Sequence, residues 1–136
     1  PKFRLPTVSC HEVGHQLGYS AEGATNFIGY LVTSESNDPY FKYSAYNHAL
    51  GYCLTDLFHK DEEKYNEIVG TINMGVKENF NELRDFWEKY ENPMEPIFKS
   101  VFNTFLKANN QKEGIKSYNA VVGLMINYRK QQMAIQ

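Results

Sequence analysis

Several things are scarce in this chain of 136 residues, and each shortage excludes something. There are only two cysteines, Cys10 and Cys53. They are too few for a disulfide framework and are not spaced as a metal knuckle, so they read as buried thiols or a single bridge. Basic charge is not in excess: 14 Lys and Arg face 16 Asp and Glu, for a net charge of -2. With no basic stripe either, nucleic acid is not expected as a partner. No apolar run approaches the length of a membrane span, and no signal peptide is visible. Strand signals are nearly absent, with no sustained apolar/polar alternation and no Asn-Gly or Asp-Gly hairpin between β-branched runs. The chain opens on Pro1 rather than Met, which suggests a fragment or a processed product.

Aromatic residues, by contrast, make up 15% of the chain, with ten Tyr and nine Phe, a composition for a packed core rather than a disordered tail. Helical signals run throughout. A first helix is expected from Thr7 to about Leu17, entered after Pro6 and stopped near Gly18. Ser20 is placed to cap a second helix that reaches about Thr33. Asp38-Pro39 combines a cap with Pro at the first helical position and opens a third helix, to about His59. A short helix from Asp61 to Val69 and a loop from Gly70 to Gly75 follow. Phe80, Leu83, Phe86, Trp87 and Tyr90 then fall on one helical face. Beyond the breaks at Asn92-Pro93 and Pro96, Ile97, Phe98, Val101, Phe102, Phe105 and Leu106 form a second stripe. After a polar turn at 109–114, the last helix carries Ile115, Tyr118, Val121, Val122, Met125 and Ile126 and frays after Arg129. The stripes are assigned to core packing. The expected architecture is all-α, one domain over residues 1–136, a bundle of about six or seven helices.

The stretch HEVGHQLGYSAEGATN, residues 11–26, carries the chemistry. His11, Glu12 and His15 form H-E-x-x-H. Residues four apart share a helix face, so both imidazoles can address one cation, and a catalytic zinc takes three protein ligands plus an open position. Glu12, beside the first histidine, is placed to act as general base. For the third ligand, the pattern H-E-x-x-H-x-x-G-x-x-H is met at Gly18 but fails at Ala21, which cannot ligate. Glu22 is the preferred candidate. Asn26, four residues on and on the same face, then matches the gluzincin arrangement of a Glu ligand followed by a residue that hydrogen-bonds a ligand histidine. His48 and His59 remain as alternative ligands.

The run HEVGHQLGYSAEGATNFIGYL, the Tyr-Ser of YFKYSAYNHAL and the late FLKANNQKEGIKSYNAVVGLM together resemble the bacterial DUF3810 family. The resemblance implies a zincin-like helical bundle built on the H-E-x-x-H helix, a bound Zn2+ and a membrane-anchored zinc metallopeptidase of unspecified substrate. It also implies membrane-spanning segments ahead of the motif that this chain lacks. The domain is then the soluble C-terminal part of a longer protein of the bacterial cell membrane. Where the family's second-helix pattern resembles E-x-E-A-N-F, this chain has Glu22, Gly23, Ala24, Thr25, Asn26 and Phe27. The first Glu and the Asn are kept and the second Glu is Ala24. The Glu-to-Asn spacing selects Glu22.

The expected activity is peptide-bond hydrolysis on a peptide or protein substrate. His11, His15 and Glu22 hold zinc, and Glu12 takes the proton of the attacking water and passes it to the leaving amine. Tyr118 and Tyr43, which lie in the family-like segments, are candidate donors to the developing oxyanion. Two other readings stand beside this one. The first is a non-catalytic metal-binding sensor or scaffold that keeps the zincin frame. The second is a helical interaction bundle with no metal.

Overall fold

The computed structural model describes residues 1–90 and 120–135. The expected stripe at 97–106, the turn at 109–114, Ile115 and Tyr118 lie outside the described residues. Among those described there are six α-helices and no strand, so the fold class is all-α. A 3-10 turn at Lys2–Arg4 leads into α1 (Leu5–Gln16), α2 (Glu22–Ser34), α3 (Pro39–Lys60), α4 (Glu62–Thr71) and α5 (Met74–Tyr90); α6 is Ala120–Ile135.

Local chemistry sets most of these boundaries. The Asp38 carboxylate accepts from the Tyr40 amide at 2.7 Å, and Pro39 takes the first position of α3, where its missing N–H costs nothing. Asp61 ends α3 and caps α4, accepting from the Lys64 amide at 2.9 Å. The end of α1 is a Schellman turn. The Tyr19 amide donates to the Gly14 carbonyl and the Gly18 amide to the His15 carbonyl, with Gly18 at φ +99°. At the start of α2 the expected cap moves by one residue. The N-cap is Ala21, whose methyl cannot accept, in place of Ser20. The turn is braced by Thr25, whose hydroxyl lies 3.0 Å from both the Tyr19 and the Ala21 carbonyl.

Helices α1, α2 and α3 meet at a buried hydroxyl cluster. Thr7 Oγ1 lies 2.9 Å from Ser44 Oγ and 3.3 Å from Thr33 Oγ1, and the Thr7 amide donates to Ser44 Oγ at 3.2 Å. That amide belongs to the first turn of α1, so Ser44 satisfies a donor the helix itself leaves orphaned. Helices α1 and α3 run parallel: the Tyr40 hydroxyl bonds the Lys2 carbonyl, and one turn further on Ser44 meets Thr7. Helix α6 closes the other side. Val121, Val122 and Met125 pack with Tyr30 of α2 and Ala45 of α3 into the apolar core.

Three boundary and packing expectations are corrected. Helix α6 runs to Ile135 instead of fraying after Arg129. Arg129 is itself tied down, donating through Nε to the Tyr30 hydroxyl at 2.9 Å and through its terminal nitrogen to the Tyr46 hydroxyl. The loop expected at 70–75 shrinks to Ile72 and Asn73, and the Asn73 side chain accepts from the Gly75 amide at 2.8 Å to start α5. The α5 stripe is not a core. Phe86, Trp87 and Tyr90 are exposed; among the described residues α5 engages α3 near its start, through Asn79 on the Tyr43 hydroxyl and Phe80 against Gly51. Cys10 and Cys53 are both free, so the bridge is not formed.

Candidate metal centre

The site begins with a close approach of two helices. A Cβ added at Gly14 would stand 2.9 Å from Thr25 Cγ2, and one at Gly29 would stand 3.0 Å from the Thr7 carbonyl oxygen and 3.3 Å from the His11 amide nitrogen. Two glycines thus let α2 lie against α1 backbone to side chain. The left-handed turn at Gly18 reverses the chain over a few residues. Together they bring the first residue of α2, Glu22, over the histidine face of α1.

The result is a three-residue cluster. His15 Nε2 lies 3.3 Å from Glu22 Oε1, and His11 Nε2 lies 3.5 Å from Glu22 Oε2. The two imidazoles meet edge to face, with ring centroids 4.6 Å apart. Among the described residues this is the group of His, Cys, Asp and Glu side chains placed to share a metal ion, its ligand atoms all within 4.8 Å of one another. Ligands bound about 2.0–2.2 Å from a tetrahedral zinc stand about 3.3–3.6 Å from each other, and both His–Glu separations have that size. His15 is also oriented from behind: its Nδ1 lies 2.8 Å from the Tyr19 carbonyl, an acceptor that puts the proton on Nδ1 and leaves the Nε2 lone pair facing Glu22. The Schellman turn therefore has a second role, because the residue that follows Gly18 supplies that carbonyl.

His11 lacks an equivalent brace. Its Nδ1 is buried with no hydrogen-bond partner, and so is Nδ2 of Asn26, a residue only 5% exposed. Glu12 is exposed on the neighbouring face of α1, and its carboxylate makes no hydrogen bond or ion pair with the described residues. Of the sequence-derived set, then, His11, His15 and Glu22 come together, Glu12 flanks them, and Asn26 lies buried in α2 without contacting either imidazole by a hydrogen bond. His59 is exposed at the end of α3, beside Phe58. Tyr43 is occupied elsewhere, its hydroxyl taken by Asn79 and its ring edge-on to Phe3 at 6.4 Å. Tyr118 lies outside the described residues.

Three residues that sequence reading passed over or ranked low adjoin the cluster. The parallel run of α1 and α3 brings His48 near Arg4 and His11, and Tyr52 near Arg4 and Glu22. His48 is 6% exposed, stacks on Tyr52 at 4.9 Å, and has no partner for either ring nitrogen. Burial, then the charges of Arg4 and His11, hold its pKa down to about 3, so the ring is neutral at ordinary pH. The Tyr52 phenol is pushed up to about 12, chiefly by burial and further by the Glu22 carboxylate, and stays a hydrogen-bond donor. Arg4 caps α1 seven residues before His11, hence on the same helix face, about 10.5 Å away along the axis. Arg4, His48 and Tyr52 line one end of a groove of about 790 Å³. A register between two helices is what connects them, and no local motif reports it.

The model of the DUF3810 family, described as a protein of unknown function, matches residues 1–126, and the chain belongs to that family. No curated protein and no solved structure matches it.

Proposed function

We propose that the domain is a zinc-dependent metallopeptidase. The observation that carries this reading is the convergence of His11 Nε2, His15 Nε2 and the Glu22 carboxylate within 4.8 Å of one another, with both His–Glu separations at the spacing of zinc ligands. When bound, zinc supplies a Lewis acid that polarises a carbonyl and acidifies water. The chain's own residues supply the rest. Glu12, on the turn between the histidines, takes a proton from the attacking water and passes it to the leaving amine. Tyr19 fixes the His15 tautomer through its carbonyl. Asn26 is the residue we assign to His11, whose unpartnered Nδ1 needs an acceptor once its other nitrogen is a ligand. Tyr52, a neutral phenol beside Glu22, is the donor we assign to the developing oxyanion in place of Tyr43.

No helix among the described residues is long and apolar enough to cross a membrane. Attachment to a bacterial cell membrane through segments outside this chain belongs to the proposal and is supported by the family resemblance alone.

The test is hydrolysis of a mixed peptide library by zinc-loaded protein, beside Glu12→Gln. Cleavage that disappears in the variant while its zinc content is unchanged supports the reading. Zinc bound by both proteins and cleavage by neither leaves the alternative, a metal-binding sensor or scaffold. The exposed, unanchored Glu12 carboxylate favours that alternative. If no zinc is bound, the contacts at 3.3 and 3.5 Å are plain His–Glu ion pairs.

A further inference from the structure

Arg4 is out of balance with its surroundings. Its side chain is half-buried, and burial pushes its pKa below the usual range, yet among the described residues its guanidinium has no hydrogen bond and no ion pair. A desolvated cation without an acceptor is costly. The groove it lines compounds this, because no Asp or Glu is among the described residues of its wall. The second cation there, Lys77, also lacks an ion pair with the described residues. His48, at the same end, has two buried ring nitrogens without partners. The rest of the wall is mainly apolar, with Leu54, Phe58, Phe80 and Leu83, and carries Thr55 and Asn81 as well as Lys77. Such a site complements a ligand with an anionic head and an apolar body, and two of its lining residues, His48 and Tyr52, stand between it and the His11–Glu22 side of the cluster, within reach of those groups' charges.

We infer that this groove binds the C-terminal end of a peptide, with Arg4 pairing the terminal carboxylate and the apolar wall taking a large hydrophobic side chain. The inference rests on the peptidase reading for its substrate class. A guanidinium offers paired N–H donors that match a carboxylate, and neutral His48 offers one more donor. The geometry also limits where the chain is cut. Arg4 precedes His11 by two helical turns, about 10.5 Å. That rise is the backbone separation, and the guanidinium reaches toward His48 and Tyr52, so it serves as an upper bound: at about 3.3–3.6 Å per residue of extended peptide, the carboxylate lies no more than about three residues from the scissile bond. The activity is therefore removal of short C-terminal pieces rather than cleavage inside a long chain.

The experiment compares two fluorescein-labelled hexapeptides that end in Phe, one a free acid and the other a C-terminal amide. Binding to the chelator-treated protein is followed by fluorescence anisotropy, so that no turnover intervenes. Removing one charge-assisted pairing is expected to weaken binding roughly ten- to a hundredfold. The free acid should thus bind tighter than the amide by that factor. Arg4→Gln should abolish the preference, and Arg4→Lys should restore part of it. Equal binding of acid and amide, binding of neither, or an unchanged preference in Arg4→Gln overturns the inference. The acid–amide comparison uses the unaltered chain, so it holds even if Arg4→Gln folds poorly. Cleavage is scored separately on zinc-loaded protein. An acid preference without cleavage removes the peptidase reading and keeps the carboxylate site; cleavage indifferent to the C-terminus does the reverse.

Discussion

His15 on α1 and Glu22 on α2 face each other across 3.3 Å, although a left-handed turn and a change of helix separate them in the chain. The contact depends on two close approaches and one unusual backbone angle, and each of these can be perturbed alone.

Gly29→Ala is expected to destabilise the protein. A helix-interior alanine gains about 0.5–1 kcal/mol over glycine. The new methyl would stand 3.0 Å from the Thr7 carbonyl oxygen, a backbone atom that cannot turn aside. Overpacking of this kind costs about 1–3 kcal/mol and wins. Thermal unfolding should show a Tm lowered by several degrees, and a Tm raised above that of the unaltered chain would show that α1 and α2 are not so closely pressed.

Gly18→Ala tests the turn itself. Nothing lies within 4 Å of the added methyl, so the cost is conformational, about 1–2 kcal/mol for a left-handed L-residue. Asparagine tolerates that region better, and Gly18→Asn should lose less. Chemical denaturation of the two variants gives the order directly; equal losses would mean the positive φ is not what matters.

Ser44→Ala removes an acceptor from the Thr7 amide and a partner from the Thr7 hydroxyl, all buried. The expected loss is about 1–3 kcal/mol, read from the urea midpoint. A variant within error of the parent would take the hydroxyl cluster out of the account of how α1 meets α3.

His48 makes stability depend on pH in a definite direction. Its folded pKa, about 3, lies below the unfolded value of 6.5, so the unfolded chain binds the extra proton between those values. Stability from this group is complete above pH 6.5 and is lost as pH falls toward 3. Arg4 and His11 are the cations that oppose its protonation. Between pH 7 and pH 5, in chelator, the parent should lose about 2 kcal/mol more than His48→Phe, which keeps the stack on Tyr52. Parallel pH profiles would mean that the imidazole takes up its proton without unfolding.

The sequence makes the local parts of this site legible and hides the parts that depend on packing. H-E-x-x-H, the stop at Gly18 and the Glu22–Asn26 spacing are all short-range, and His11, His15 and Glu22 do come together. Gly14 and Gly29 read only as weak helix positions, because their use lies in what crosses them. The cap at α2 falls one residue late, since Thr25 braces the turn from inside the helix. The apolar stripe of α5 reads as core but is left exposed in its second half, because periodicity gives a face and not what covers it. Arg4, His48 and Tyr52 become neighbours of the cluster only through the parallel register of α1 and α3, fixed by Tyr40 on Lys2 and Ser44 on Thr7.

The most direct test of the central claim is the metal content of the purified protein, by elemental analysis, beside Glu22→Ala. The account predicts about one zinc per chain, lost or sharply reduced in the variant. No zinc in the parent after incubation with excess metal would contradict it. Zinc fully retained without Glu22 would contradict the ligand set and point to His48.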